Sequence, residues 1–455
     1  MKKQIVFHVD VNSAFLSWEA VKRVQNGEQD IRLISSAIGG DREKRLGVIL
    51  AKSLPAKRKG VKTGEPITAA LQKCPELKLF KPDFLLYEKC SRAFMKICSE
   101  YSPVVEKYSI DECFMDMSGM DKIYSDIIEV AEEIKNRIYE TCGFTVNIGI
   151  SDKKILAKMA SDFEKPNKIH TLFSEEISLK MWGLPINNLF SIGSSTAEKL
   201  CAVGIETIGD LAKSDLKAIQ ALVGEKRGLE IYNYANGEDS EGVSAFSEAA
   251  KGYSISSTLE KDIISEEEAE KIILDLVDSV AARMRSEDAL TECIGITIRY
   301  NNFKDRSHQR KISAPTDITS HIFKVCKELF EELWDKKTPI RLIGVSLTNI
   351  IKNDELQVSA FDADLKKEKA RILDKTVDDL RGKFGYSKIT RAVNCNSQSK
   401  ISKKHEAKIR IKEKCNAPQQ FVAFGVRFTR SLLLFYCVLK TFYGDDHNLI
   451  FSIAC

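Results

Sequence analysis

The segment Ile5-Val6-Phe7-His8-Val9-Asp10 constrains this chain most: an apolar, largely β-branched run that ends on a carboxylate. Such a run marks a buried strand. A carboxylate at its end is costly to desolvate unless it meets a cation or a metal ion. Much further along, Tyr108-Ser-Ile-Asp111-Glu112-Cys-Phe-Met115 reads as a tight hairpin, entered by Val104-Val105 and left by Cys113-Phe114-Met115. Neighbours on a regular strand face opposite sides, so Asp111 and Glu112 serve one site only where the turn distorts the pleat. Three carboxylates from two strand ends suit two divalent ions, the arrangement that transfers phosphoryl groups. Singly, each has a bland alternative: Asp10 as a helix cap or turn residue, and Ser-x-Asp-Glu as a solvated turn.

Composition sets wider bounds. A chain of 455 residues holds several domains, each able to bury a core. The net charge of +4 is small, so any nucleic-acid binding rests on local basic patches. None of the twelve cysteines stands in a Cys-x-x-Cys pair, so neither a zinc site nor a redox couple is indicated. The Met-Lys-Lys start runs straight into a core strand, which predicts no signal peptide and a cytoplasmic protein with reduced thiols. The apolar run Leu432–Leu439 is too short to span a bilayer, so no membrane association is expected.

The text around the carboxylates carries a resemblance. HVDVNSAF, AIGGDREKRLGVILAKS, AKRKGVKTGEPI, YSIDECFMDM, VNIGISDKKILAKMASDFEKPNK, FSIGSSTAEKLCAVGIETIGDLA and QVSAF follow in order between Val6 and about Ala392. Together they resemble the Y-family of translesion DNA polymerases, of the DNA polymerase IV type. The resemblance implies a multidomain α/β chain of right-hand polymerase form. The palm would be α/β (residues 1–10 and 75–170), with small fingers (11–74) and a helical thumb carrying a helix-hairpin-helix (171–240). A linker (241–250), an α+β little finger (251–350) and a clamp-binding segment with a helix (351–393) would follow. The tail, 394–455, has no assigned role. Locally, Ser195 and Glu198 have the spacing of a capping box, and the helix after Ile150 should end at Pro166.

The activity implied is low-fidelity, template-directed addition of deoxynucleotides to a primer 3′-hydroxyl past damaged bases. Two Mg²⁺ ions would be the cofactors, with Mn²⁺ substituting. By resemblance Asp10 and Asp111 bridge both ions, while Glu112 and the Val11 carbonyl complete the set. Lys57 and Lys165 correspond to triphosphate-holding positions, although Leu54 stands where many relatives have Tyr and Lys57 where many have Arg. Lysine lacks the guanidinium fork, so a bidentate grip is lost there. Phe15 falls at the family's steric gate; its bland alternative is a core residue at helical spacing.

DNA phosphates would be met by Gly193, Ser194 and Ser195 at a helix start and by Arg299, Lys304, Arg310 and Lys311 on a basic hairpin. That hairpin reads equally as an edge strand protected by charge. Two rival classes stand beside this reading. One is a nucleotidyl cyclase, for which Gly39-Gly40-Asp41 is a faint echo; the other is a DNA-binding protein with a decayed site.

The partners implied are primer-template DNA, deoxynucleoside triphosphates and a sliding clamp, acted on by a monomer. Gln357, Val358 and Phe361, after a strand Arg341–Ile350 read as an edge, resemble the clamp-docking pentapeptide, with Ala360 where relatives often carry Leu. One aromatic anchor contributes about 2 kcal/mol or more to an interface. Replacing Gln357 and Phe361 by Ala should therefore weaken clamp binding at least about tenfold, read as the ratio of primer extension with and without clamp.

Overall fold

The apolar run at the N-terminus is a central strand. In the computed structural model, β1 (Val6–Val11) is buried along its whole length in a sheet of order β5-β6-β1-β7-β8. Residues 4–40, 47–120, 123–124, 126–239, 242–245, 249–352, 365–391 and 451–453 are described. They fall into two compact units, Met1–Arg42 with Gly47–Glu248, and Glu43–Leu46 with Ala249–Cys455.

In the first unit β1 is followed by α1 (Ala14–Gln25), β2 (Ser36–Gly39), β3 (Ile49–Lys52), α2 (Leu54–Arg58), α3 (Ile67–Lys73) and β4 (Lys78–Phe80). Then come α4 (Phe84–Tyr101), β5 (Val105–Lys107), β6 (Glu112–Asp116), α5 (Ile127–Cys142), β7 (Val146–Ser151), α6 (Lys154–Ser161) and β8 (Ile169–Thr171). β1 pairs antiparallel with both β6 and β7. Helices α4 and α5 cover one face through Tyr87, Phe94, Ile134 and Ile138, with Trp18 of α1 in the same core. α5 ends on Gly143, whose φ of 77° suits the left-handed cap that glycine takes without strain.

α6 packs on the opposite face, and Gly149 permits it: a Cβ there would stand 1.9 Å from the Ala157 carbonyl oxygen. α6 stops at Ser161, short of the expected proline. The buried Asn147 side chain takes over beyond that point, donating to Ser161 O (3.0 Å) and Glu164 O (2.7 Å) and accepting from Lys168 N (3.2 Å). A smaller sheet, β3-β2-β4, closes over Ala37, Ile49, Ala56, Val61 and Ile67, and its strand β4 lies just beyond residue 74.

Five further helices follow: α7 (Ile177–Lys180), α8 (Ser194–Cys201), α9 (Ile208–Lys213), α10 (Leu216–Val223) and α11 (Glu225–Ala235). They share a core with α6 around Leu156, Leu200, Ile208, Leu211 and Ile231. The capping box expected at Ser195 and Glu198 is absent. α8 begins two residues earlier, at Ser194, with Gly193 as N-cap and no side-chain cap. The box forms instead at Thr207 and Asp210, where the Asp210 N–H donates to Thr207 Oγ1 (3.1 Å) and the Thr207 N–H donates to Asp210 Oδ2 (2.9 Å). The linker is partly fastened, as Ser244 N donates to Glu106 Oε2 (3.0 Å); just before it, Ile155 N donates to Asp239 Oδ2 (3.1 Å).

The second unit runs β9 (Gly252–Ile263), α12 (Glu266–Arg285), β10 (Ala289–Tyr300), β11 (Asp305–Thr316), α13 (Thr319–Leu333), β12 (Ile340–Lys352), α14 (Leu365–Phe384) and β13 (Ile389–Arg391). Its four-stranded sheet has the order β11-β10-β12-β9, and α12 and α13 share its core through Leu276, Val280, Ile322 and Phe330. β12 is therefore interior, not the edge expected for Arg341–Ile350; its buried Ile343, Val345 and Leu347 fit a strand paired on both sides. Gln357, Val358 and Phe361 lie outside the described residues, as does most of the tail; Phe451–Ile453 forms β14, paired with β13. Among the described residues every cysteine is a free thiol, and no helix is long and apolar enough to cross a membrane.

α14 is held by buried charge. Arg285 meets Asp378 (2.6 Å) and Asp374 (3.6 Å), while Asp278 receives Arg381 (2.6 Å) and Arg391 (3.2 Å). Burial alone would raise the Asp278 carboxyl, but Arg381 and Arg391 hold it well below the usual carboxylate range. A depressed carboxyl contributes stability that is complete above its unfolded pKa, near 4, and fades as pH falls below that. Asp278→Asn should thus cost about 3 kcal/mol at neutral pH, because the buried Arg381 loses the carboxylate it pairs with. Denaturant unfolding should show a difference from the parent that is constant between about pH 8 and 5 and narrows only below about pH 4.

Candidate active site

Strand register assembles the acidic residues. Asp10 stands opposite Glu112 across β1 and β6, and opposite Asn147 across β1 and β7. Asp111 precedes β6 and lies outside its regular pleat, as the hairpin reading required. Its backbone carbonyl accepts from Val11 N (3.0 Å), and its side chain accepts from Ser109 Oγ (2.7 Å). Asp111 is thereby tied to the end of β1 next to Asp10.

Two lysines approach from the α6 side. Lys165 donates to Asp10 Oδ2 and pairs with Asp162 Oδ1 (2.7 Å). Lys158 donates to Glu112 Oε1 (2.9 Å), and its ammonium lies over the rings of Tyr108 (5.1 Å) and Phe190 (5.2 Å). Burial pushes the Asp10 carboxyl up to about 6; Lys165 opposes this, while Glu112 and Asp162 add to it. Burial also works against the Lys165 charge, but Asp10 and Asp162 outweigh it and raise that amine above its ordinary range. This is an acidic site short of positive charge. Hard oxygen donors in such a setting fit divalent ions of the Mg²⁺ type.

His8 sits beneath the site, fully buried, with its ring 4.6 Å from that of Phe114. The Ser161 hydroxyl donates to Lys158 O (2.8 Å), so the His8 Nδ1–H donates to Ser161 Oγ (2.7 Å). Burial and the two lysines depress the imidazole well below its ordinary value, so it stays neutral and structural.

Phe15, half-buried on α1, stacks on Tyr87 (4.7 Å, 12° between planes), with Phe84 edge-on at 6.2 Å. Lys57 is exposed on α2, whose N-cap Ser53 accepts from Ala56 N (3.2 Å). Burial, then Lys57, lowers the amine of nearby Lys52, so the two form one basic patch beside the exposed Leu54. Gly193, Ser194 and Ser195 are exposed at the start of α8.

In the second unit the expected phosphate contacts are largely occupied. Arg299 forks onto Asp305 (2.6 and 2.8 Å), Arg310 reaches Glu328 (2.6 Å) and Glu332 (2.5 Å), and Lys311 lies 3.6 Å from Glu292. Lys304 is exposed at the β10–β11 turn beside Phe303, whose ring carries the Arg341 guanidinium at 4.7 Å. Exposed pairs of this kind are worth little and exchange readily for other anions. A separate acidic group, Glu266, Glu270 and Glu331, is matched by Lys336 and Lys327, each 2.9 Å away.

Sequence reasoning missed Lys158, Asn147 and Tyr87. For Lys158 the signal was present: Lys154, Lys158 and Ser161 recur at i, i+4 and i+7, one face of α6.

Comparison with known proteins shows the family. Residues 9–162 match the impB/mucB/samB family, residues 250–360 its C-terminal domain, and residues 187–239 the thumb domain of DNA polymerase-iota. DNA polymerase IV of Clostridium acetobutylicum is 42% identical over 400 residues, covering 87% of this chain and 100% of the relative. That of Oceanobacillus iheyensis is 36% identical over 405 residues, 87% and 93% of the two chains. A solved Y-family DNA polymerase chimera superposes with a TM-score of 0.65 at 25% identity, covering 77% of this chain and all of the other. The chain belongs to the Y-family of DNA polymerases. Within that family it falls in the DNA polymerase IV group. The cyclase and decayed-site readings are set aside.

A carboxyl raised on folding binds its proton more readily in the folded than in the unfolded chain. Stability of the ion-free protein therefore falls as pH rises from about 4 to about 6 and stays lower above. Asp10→Asn should remove that slope. Thermal unfolding in chelator at pH 5 and pH 7 checks both.

Proposed function

We propose that Asp10, Asp111 and Glu112 make this DNA-directed DNA polymerase work by holding two Mg²⁺ ions, for which Mn²⁺ substitutes. Like other Y-family enzymes the protein is metal-dependent and makes DNA on damaged templates. The observation that carries the residue assignment is the register itself: Asp10 faces Glu112, and Asp111 is hydrogen bonded through its carbonyl to Val11. Asp10, Asp111, Glu112 and the Val11 carbonyl would hold the two ions. When bound, the ions supply positive charge to the attacking 3′-oxygen and the departing pyrophosphate.

The chain's own groups do the rest. Lys165 leaves Asp10 to meet the triphosphate, joined by Lys57 from α2. Phe15, braced face to face on Tyr87, fills the space a ribose 2′-hydroxyl needs. Gly193, Ser194 and Ser195 offer unpaired amides and the positive end of α8 to a backbone phosphate. Arg299, Lys304, Arg310 and Lys311 exchange their acidic neighbours for phosphates along the duplex, a sequence-independent and salt-sensitive contact. Gln357, Val358 and Phe361 dock the enzyme, a cytoplasmic monomer, on a sliding clamp.

Primer extension with separated nucleotides, on intact and abasic templates, tests the assignment. Asp111→Asn should abolish incorporation while DNA binding, measured by anisotropy, survives; substantial extension at saturating Mg²⁺ would sink it. Phe15→Ala should raise ribonucleotide use relative to the matching deoxynucleotide by about tenfold or more, since it removes a ring and opens a cavity. An unchanged ratio would make Phe15 a core residue only.

A further inference from the structure

Lys158 has no part in the roles assigned above, yet it is one of the most confined cations in the first unit. Its side chain is 9% exposed, and its ammonium is enclosed by the Glu112 carboxylate and the faces of Tyr108 and Phe190. Tyr108 comes from the hairpin that carries Asp111, and Phe190 from the segment leading into α8. The Ser161 hydroxyl closes the helix behind it by donating to the Lys158 carbonyl. A long, flexible side chain held this way cannot simply swing into water. Confinement of a cation against a carboxylate is costly unless the pair does something the fold needs.

The need is visible in the register. Asp10 and Glu112 face one another on adjacent strands with Asp111 close by, so an ion-free site crowds like charges. Lys165 covers Asp10, and Lys158 covers Glu112. We infer that Lys158 is a positioning residue that stands in for a cation at Glu112 when the site is free of ions. It holds the carboxylate in place and gives it up, at an electrostatic cost, when an ion enters.

This rests on the two-ion reading of the site. A divalent ion arriving at Glu112 meets an ammonium already within a few ångströms, and like charges at that distance oppose its binding even in water-like surroundings. The ion site is therefore preformed but deliberately weak while empty. A nucleoside triphosphate brings the negative charge that the ion and both lysines share, so ion and nucleotide favour each other's binding.

The test uses the full chain without DNA or nucleotide and Mn²⁺ as the probe, with free ion read by electron paramagnetic resonance. Lys158→Met should bind Mn²⁺ about fivefold tighter or more than the parent, the factor expected for removing one unit charge at this range. Without ions its Tm should be lower than the parent's, and Mn²⁺ should raise that Tm by more. Lys158→Arg, which keeps the charge, should bind Mn²⁺ as the parent does. Should Lys158→Met not fold, Lys158→Gln decides by the same comparison. Unchanged or weaker Mn²⁺ binding in the neutral variant overturns the inference, for then Lys158 either does not feel the ion or helps to hold it. If instead Asp111→Asn binds Mn²⁺ as well as the parent does, the two-ion reading itself falls, and the stand-in role with it.

Discussion

The antiparallel register of β1 between β6 and β7 is the constraint on which the site depends. Side chains alternate faces along a strand, so a slip of one residue would turn Asp10 away from Glu112 and bury it among apolar groups. The register is pinned by what flanks it. Phe7 and Val9 lie in the core under α4 and α5, while His8 faces α6 and is fixed by Ser161. Gly149 lets α6 approach the sheet closely enough for Lys158 to reach Glu112. Asn147 then ties the chain beyond α6 so that Lys165 arrives over Asp10.

Buried carboxylates serve opposite ends in the two units. Asp278 is met by Arg381 and Arg391, with Arg285 nearby, and is held ionised far below its usual range. Asp10 has one lysine, shared with Asp162, and two acidic neighbours, so its carboxyl is pushed up to about 6. Two arginines on one carboxylate make the first a structural fastening for α14. A deficit leaves the second a site that gains by taking a cation. The sign of the shift separates the two uses, because burial is common to both.

The aromatic and basic surfaces show the same division of labour. Phe15 is braced by Tyr87 and Phe84, which stiffens its ring. Arg310, in contrast, is held by Glu328 and Glu332 on the surface, where such pairs are worth little.

Much was legible in the sequence because it depended on local pattern. The apolar run ending on Asp10, the Ser-x-Asp-Glu turn and the amphipathic α6 each encode an element and the chemistry it carries, and the order of motifs was enough to indicate the family. What depended on competition between distant groups was not. Ser195 and Glu198 have capping spacing, but the backbone enters α8 at Gly193, and the box forms at Thr207 and Asp210. A proline at 166 signals a stop, yet Asn147 claims the carbonyls of Ser161 and Glu164, and α6 ends sooner. The apolar content of Arg341–Ile350 marks a strand without saying that β9 pairs on its far side. Sequence alone determined which side chains could carry charge, metal or phosphate, since that is the chemistry of residue types. Tertiary structure alone decided which of them meet and how strongly each is neutralised, because strand register, close helix approach and burial are properties of contacts between segments far apart in the chain.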